Sequence, residues 1–145
     1  MDEIKVAVLG CEKEPKTELI KNLTGNFRSV KLGGMNTDID IGYTTANGRR
    51  LYLFGGTREE RKRFFEEVLP AGIDLGIVVV DSSKGISPED KELIEEMKER
   101  NMPCMVFLND KKETELHSFG RTIVHGSAWN KESANRLRDF LTKAT

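Results

Sequence analysis

A loop near the N-terminus has the residue types and the spacing of a phosphate-binding site. Gly10, Lys16 and Thr17 lie in the segment Gly-Cys-Glu-Lys-Glu-Pro-Lys-Thr, between an apolar run and a helical pattern. They match the spacing G-x-x-x-x-G-K-[ST], in which backbone N–H groups, a lysine and a hydroxyl on Mg²⁺ hold the phosphates of a nucleotide. We therefore predict that these three residues contact phosphate or metal, with Lys13 as an added counter-charge.

The same loop departs from that spacing at one position. Pro15 stands where a second glycine is required. Proline has no N–H group and a φ fixed near −65°, so one phosphate donor is missing. Glu12 and Glu14 add two carboxylates where a polyanion would lie. An ordinary β–α turn with a surface lysine and a surface threonine fits these residues equally well, and the sequence leaves both interpretations open.

Apolar runs alternate with amphipathic segments along the chain. The apolar runs predict strands at 4–10, 50–54, 75–80, 103–108 and 121–125, with shorter ones at 30–32 and 39–43. The 3.6-residue periodicity predicts helices at 15–24, 58–69, from 88 onwards and at 131–143. This alternation indicates an α/β fold with a mostly parallel central sheet flanked by helices.

Turn and cap residues predict where several elements begin and end. Asn47-Gly48 favours a hairpin, Gly25 suits the end of the first helix, and Ser87 suits the N-cap of a helix that begins with Pro88. In a sheet of this class a ligand lies beyond the carboxyl ends of the strands. The predicted ends are Gly10, Phe54, Asp81, Asn109 and Ser127.

Composition excludes several classes of protein. The 145 residues suit one domain, 1–145. Their net charge of −1 argues against a strongly basic nucleic-acid binder. No apolar run approaches the roughly 18 residues of a membrane span, and the N-terminus lacks the apolar core of a signal peptide. Cys11 and Cys104 are predicted at opposite edges of the sheet, without a disulfide, which is typical of a cytoplasmic protein.

Four further segments, taken with the first loop, resemble the Ras-like P-loop small GTPases. Residues 51–61, Leu-Tyr-Leu-Phe-Gly-Gly-Thr-Arg-Glu-Glu-Arg, look like the third motif, L-Y-L-F-G-T-P-G-Q-E-R, of a small bacterial and archaeal group. Residues 75–83 also look like that group. Residues 109–112 fall where the guanine motif N-K-x-D belongs, and 127–128 fall where the fifth motif, S-A-x, belongs. The resemblance covers nearly the whole chain in the family's order.

The resemblance implies a fold, ligands and site residues. The fold is the three-layer P-loop NTPase fold, and the ligands are GTP or GDP with Mg²⁺. Asn109, Asp110, Ser127 and Ala128 are the implied nucleotide contacts beyond the first loop, in which Gly10, Lys13, Pro15, Lys16 and Thr17 take part. The implied metal ligands are Thr17 and a threonine of the first switch, for which Thr37 is the best-placed candidate.

The departures from the family pattern bear on activity. Arg58 stands where a glycine donates its N–H to the γ-phosphate, and Glu59 replaces the glutamine that orients the attacking water. Glu59 is thus the one catalytic candidate, a weak one, because its charge repels a triphosphate. Lys112 replaces the guanine-reading Asp and has no acceptor for the base. Gly55 stands where the family usually has an Asp linked to Mg²⁺, and the subgroup lacks this Asp as well. In the subgroup an Asp-aromatic-Gly segment follows the threonine of the first switch, and residues 40–42 are its counterpart here.

Three interpretations follow for function. The first is a GTPase-like domain with weak or altered nucleotide binding, slow or absent GTP hydrolysis, and a regulatory role toward a protein partner. The second is a pseudo-GTPase interaction module that binds no nucleotide. The third, a receiver- or flavodoxin-like domain, lacks the acidic pair and the hydroxyl-rich loop that those folds require after the first strand.

Overall fold

The computed structural model describes residues 2–10, 13–30, 39–55, 72–80, 87–109, 122–128 and 130–144. The strands are β1 (Glu3–Leu9), β2 (Phe27–Val30), β3 (Ile39–Ala46), β4 (Arg49–Gly55), β5 (Leu75–Val80), β6 (Cys104–Asn109) and β7 (Thr122–Gly126). The helices within these ranges are α1 (Lys13–Thr24), α2 (Pro88–Glu99) and α3 (Lys131–Ala144).

The strands form one mixed, mostly parallel sheet. Their order is β2-β3-β4-β1-β5-β6-β7, in which β3 runs antiparallel to both β2 and β4 and the other neighbours are parallel. The carboxyl ends of six strands therefore meet at one edge, and the first residues of β3 lie at that edge too.

Helices cover both faces of the sheet. Val6 and Val8 of β1 belong to the core beneath α1 and α3, while Ala7 and Leu9 belong to the core beneath α2. The continuous apolar runs of β1, β5 and β6 arise because parallel central strands are buried on both faces. The predicted α/β fold with flanking helices is confirmed.

Most predicted boundaries hold within one residue, and three are wrong. Strand β3 continues to Ala46, three residues past its predicted end at 43. The hairpin turns at Asn47-Gly48, both with positive φ, and Gly25 ends α1 with φ +67°. Helix α1 begins at Lys13, two residues before the predicted start, so Pro15 lies inside the first turn. An N–H there has no partner within the helix, which is why the helix tolerates proline. Strand β2 lies at 27–30 rather than 30–32, because its register follows from pairing with β3.

Several predictions concern residues outside the described ranges. These are the helix at 58–69, Asp81 and Cys11. Cys104 is a buried free thiol at the start of β6. None of the helices among the described residues is both long and apolar enough to cross a bilayer.

The start of α2 gives a first testable prediction. The Ser87 hydroxyl accepts a hydrogen bond of 3.0 Å from the backbone N–H of Asp90, and Pro88 follows at the first helical position. Ser87→Ala removes this cap and should lower the free energy of unfolding by about 1 kcal/mol, measured by urea denaturation. Ser87→Asp, which retains an acceptor, should stay within about 0.5 kcal/mol of the native protein. Equal losses in both variants would contradict the capping role.

Candidate functional site

The edge of the sheet at which the parallel strands end carries those predicted site residues that lie within the described ranges. Gly10 follows β1, Asn109 ends β6, and Ser127 and Ala128 follow β7. Helix α1 starts above the same edge, directly after the β1 turn. The topology thus brings together segments that are more than 100 positions apart in the sequence.

The turn after β1 requires a glycine. Gly10 has φ +150°, and a Cβ built on it would lie 2.5 Å from the carbonyl oxygen of Val79 in β5. Neither the backbone angle nor the space admits a side chain without displacement of backbone atoms. The chain therefore passes close against β5 before it enters α1.

Lys16 and Thr17 lie in the first turns of α1. Lys16 is only 4% exposed and Thr17 is half-buried. The burial of Lys16 argues against the alternative of a surface lysine. Pro15 is buried as well. Among the first four residues of α1, whose N–H groups have no partner within a helix, Lys13, Glu14 and Lys16 carry this donor and Pro15 does not.

Two glycines allow α1 to approach the sheet closely. A Cβ at Gly42 of β3 would lie 2.5 Å from the Thr24 hydroxyl oxygen, and a Cβ at Gly55 of β4 would lie 2.8 Å from Ile20 Cδ1. A side chain at Gly42 would overlap Thr24 and Ile20 of the helix, whereas one at Gly55 would require the end of the Ile20 side chain to move. The close approach brings the side chains of α1 within hydrogen-bond distance of β3.

Thr17 uses this proximity to bind a buried carboxylate. Its hydroxyl donates a 2.6 Å hydrogen bond to Oδ2 of Asp40, and the Ser29 hydroxyl donates a 2.7 Å bond to Oδ1. Asp40 is 7% exposed and is the second residue of β3. Both carboxylate oxygens are bonded, so the orientation of the group is fixed. A hydroxyl and a carboxylate are hard oxygen donors of the kind that Mg²⁺ prefers.

A second cluster joins β6 to the segment after β7. The backbone N–H of Ala128 donates a 2.6 Å hydrogen bond to Oδ1 of Asn109, and the Ala128 carbonyl accepts a 2.6 Å bond from Nδ2 of Asn22 in α1. The N–H of Ser127 donates to the Ser133 hydroxyl, 3.1 Å away, at the start of α3. Ala128 is fully buried, and its segment is fixed from three sides.

The remaining predicted site residues cannot be located in the same way. Asp110, Thr37 and Glu59 lie outside the described residues, as do Arg58 and Lys112. Lys13 is the first residue of α1, with its backbone alone described. Their roles stay predictions.

Four residues of these clusters were not singled out from the sequence as site residues: Asn22, Ser29, Asp40 and Ser133. Asp40 carries the clearest signal, because alternation along Ile39, Asp40 and Ile41 turns the carboxylate away from the apolar face of a strand. Asn22 and Ser29 carry no local signal, since their partners lie in other elements.

Comparison with known proteins gives relatives over most of the chain. The uncharacterized protein MJ1339 of Methanocaldococcus jannaschii is 33% identical over 143 residues, which cover 94% of this chain and 93% of that protein. Translation initiation factor IF-2 of Mycoplasma mycoides subsp. mycoides is 26% identical over 94% of the chain. GTPase Der of Maridesulfovibrio salexigens is 27% identical over 73% of it. The chain spans 25% and 26% of the length of these two proteins. No sequence model of a protein family matches.

Solved structures share the fold. The cytosolic domain of the T. maritima FeoB iron transporter in a GDP form superposes with a TM-score of 0.80 at 22% identity, covering 98% of this chain and 63% of that one. Its GMPPNP form gives 0.76 at 24% identity, covering 97% and 63%. These likenesses confirm the P-loop GTPase α/β fold. The chain belongs to the same family as MJ1339, and its relatives and its fold place it in the P-loop GTPase superfamily.

Proposed function

We propose that this GTPase-like domain binds a nucleoside di- or triphosphate with Mg²⁺ at the carboxyl edge of the sheet, turns it over slowly or not at all, and thereby regulates a protein partner. The observation that carries the proposal is the buried Lys16 at the start of α1, next to a Thr17 hydroxyl bonded to Asp40. A lysine and a hydroxyl in this position, after a glycine turn, reach the outer phosphates and the metal. The solved GDP and GMPPNP forms of structural neighbours support this choice of ligand.

Phosphate binding should be weaker than in a complete loop. Pro15 removes one backbone donor, and a hydrogen bond to a charged group contributes roughly 1.5–3 kcal/mol. Because 1.4 kcal/mol corresponds to a factor of ten, the loss amounts to about 10- to 150-fold in affinity. We therefore expect micromolar rather than nanomolar dissociation constants.

Base selectivity should also be low. The family resemblance makes Ala128 a nucleotide contact, but here its N–H donates to Asn109 Oδ1 at 2.6 Å. Lys112 offers no acceptor in place of the missing carboxylate. A preference for guanine over adenine of less than about tenfold, or 1.4 kcal/mol, follows from the loss of these contacts.

Hydrolysis should be slow because two groups that act on the γ-phosphate and on water are replaced. Arg58 carries a side chain where a glycine N–H is expected, and Glu59 replaces the water-orienting glutamine. Phosphoryl transfer depends on positioning and charge stabilisation, so neither substitution is easily offset within the chain. Turnover of GTP at or below about 10⁻⁴ s⁻¹ is expected.

Calorimetric titration of nucleotide-stripped protein tests the proposal. GDP, GMPPNP and ADP, each with Mg²⁺, should bind with micromolar constants and a guanine-to-adenine ratio below about ten. Absence of heat from protein that is folded by circular dichroism would overturn the nucleotide role. It would favour the interaction module without nucleotide. Two observations support that module: the Ala128 N–H already donates to Asn109, and Pro15 lacks an N–H in the phosphate loop.

A further inference from the structure

We propose that Asp40 is the positioning residue for Mg²⁺: its carboxylate, supplied from β3, holds the Thr17 hydroxyl in the orientation that binds the metal. This inference rests on the proposed nucleotide function and names the group that makes binding magnesium-dependent. A carboxylate from β3 is needed because Gly55, at the end of β4, offers no side-chain oxygen at this edge.

The register of the sheet brings Asp40 to the end of β4. Asp40 pairs with Gly55 across the antiparallel β3–β4 ladder. A Cβ built on Gly55 would lie 3.6 Å from the Cβ of Asp40, so side chains at the two positions would enter the same space. A carboxylate on β3 can therefore serve the site that a carboxylate on β4 would serve.

The hydrogen bond from Thr17 fixes the direction of its lone pairs. A hydroxyl has one hydrogen and two lone pairs. Since the hydrogen of Thr17 goes to Oδ2 of Asp40 at 2.6 Å, the lone pairs face away from the carboxylate and are available to a cation. An acceptor that takes the hydrogen of a metal-binding group orients this ligand and tunes its affinity.

Ser29 holds the carboxylate itself in place. Its hydroxyl donates to Oδ1 at 2.7 Å from β2, which pairs with β3 at this point. Asp40 is 7% exposed, so its charge acts with little screening by water. The three side chains form a chain of hydrogen bonds from the sheet to the first turns of α1.

The test measures GDP affinity with Mg²⁺ and with EDTA, for the native protein and for Asp40→Asn. Substitution of such an orienting partner costs about 10- to 100-fold in metal affinity. The native protein should therefore bind GDP at least about tenfold more tightly with Mg²⁺ than with EDTA, because the substitution can remove no more than this ratio. Asp40→Asn should lose this ratio while its affinity in EDTA stays within about twofold. A purely structural Asp40 would instead lower both affinities together.

Asp74→Asn is the matched control. Asp74 is also a carboxylate that accepts a hydrogen bond from the chain, from Lys5 N–H at 2.9 Å, but it precedes β5 at the opposite edge. It should retain the native magnesium ratio. A full ratio in folded Asp40→Asn, or an equal loss in Asp74→Asn, would overturn the inference.

A second variant returns the carboxylate to β4. Asp40→Asn with Gly55→Asp should recover magnesium dependence, because among the described residues the one atom closer than 3.4 Å to the new Cβ is Ile20 Cδ1, the end of a flexible side chain, at 2.8 Å. A folded double variant without recovery would contradict the shared site. GDP binding by the native protein that is equal in Mg²⁺ and EDTA would overturn the Asp40 inference alone. No GDP binding under either condition would overturn the proposed function as well.

Discussion

Lys16→Met should lower the affinity for GDP about 100-fold and abolish the thermal stabilisation that GDP gives the protein. The ammonium group of Lys16 is the one side-chain cation that the phosphate-loop spacing assigns to the outer phosphates. Hydrogen bonds to charged groups contribute roughly 1.5–3 kcal/mol, which corresponds to about 10- to 150-fold in affinity. Methionine keeps most of the apolar stem, so the packing of α1 is preserved.

The ligand-free variant should remain folded and unfold in one cooperative transition. Lys16 is 4% exposed, and methionine fills a similar volume with an apolar side chain, so the core beneath α1 should stay packed. The measurements are calorimetric titration and thermal melts with and without GDP. Lys21→Met serves as the control, because Lys21 lies in the last turn of the same helix, 5.2 Å from the centre of the Phe27 ring, and is 47% exposed. Native affinity in Lys16→Met would show that the phosphates bind elsewhere.

The elements that the sequence predicts well are those whose signals are local. Strands β5 and β6 are buried along their whole length, and an unbroken apolar run predicts this directly. The predicted position of strand β2 is wrong because Arg28 and Ser29 are exposed, so that the strand has no apolar run to mark it. Its position is determined by pairing with β3, and strand propensity depends on such neighbours.

The difference between local and long-range signals also explains which site residues the sequence could indicate. Gly10, Lys16 and Thr17 could be named as candidates because they lie within eight residues of one another, at a spacing with known chemistry, and their role stays a prediction. Asp40 meets Thr17 across 23 positions, and only the register of β3 with β4 and the small residues beneath α1 bring them together. Asn22 and Ala128 meet across 106 positions. Contacts of this kind depend on the assembled sheet, which no local pattern encodes.

The turn after β1 gives the largest expected effect on stability. Gly10→Ala places a Cβ 2.5 Å from the carbonyl oxygen of Val79 and imposes φ +150° on a residue with a side chain. A strained backbone conformation costs 1–3 kcal/mol, and a backbone carbonyl cannot rotate away as a side chain can. We expect the free energy of unfolding to fall by about 3 kcal/mol and the melting temperature by about 10 °C. GDP affinity should fall as well, because β1 and the start of α1 must separate from β5.

Gly48→Ala separates strain from steric overlap. Gly48 also has a positive φ, +74°, but a Cβ there would meet nothing within 4 Å. This variant should lose only about 1–2 kcal/mol, the ordinary cost of a left-handed conformation for a residue with a Cβ, and should bind GDP like the native protein. Urea denaturation and titration of both variants measure the difference. If Gly10→Ala proved no less stable than Gly48→Ala and bound GDP equally well, the close contact with Val79 would not be what shapes the phosphate-binding turn.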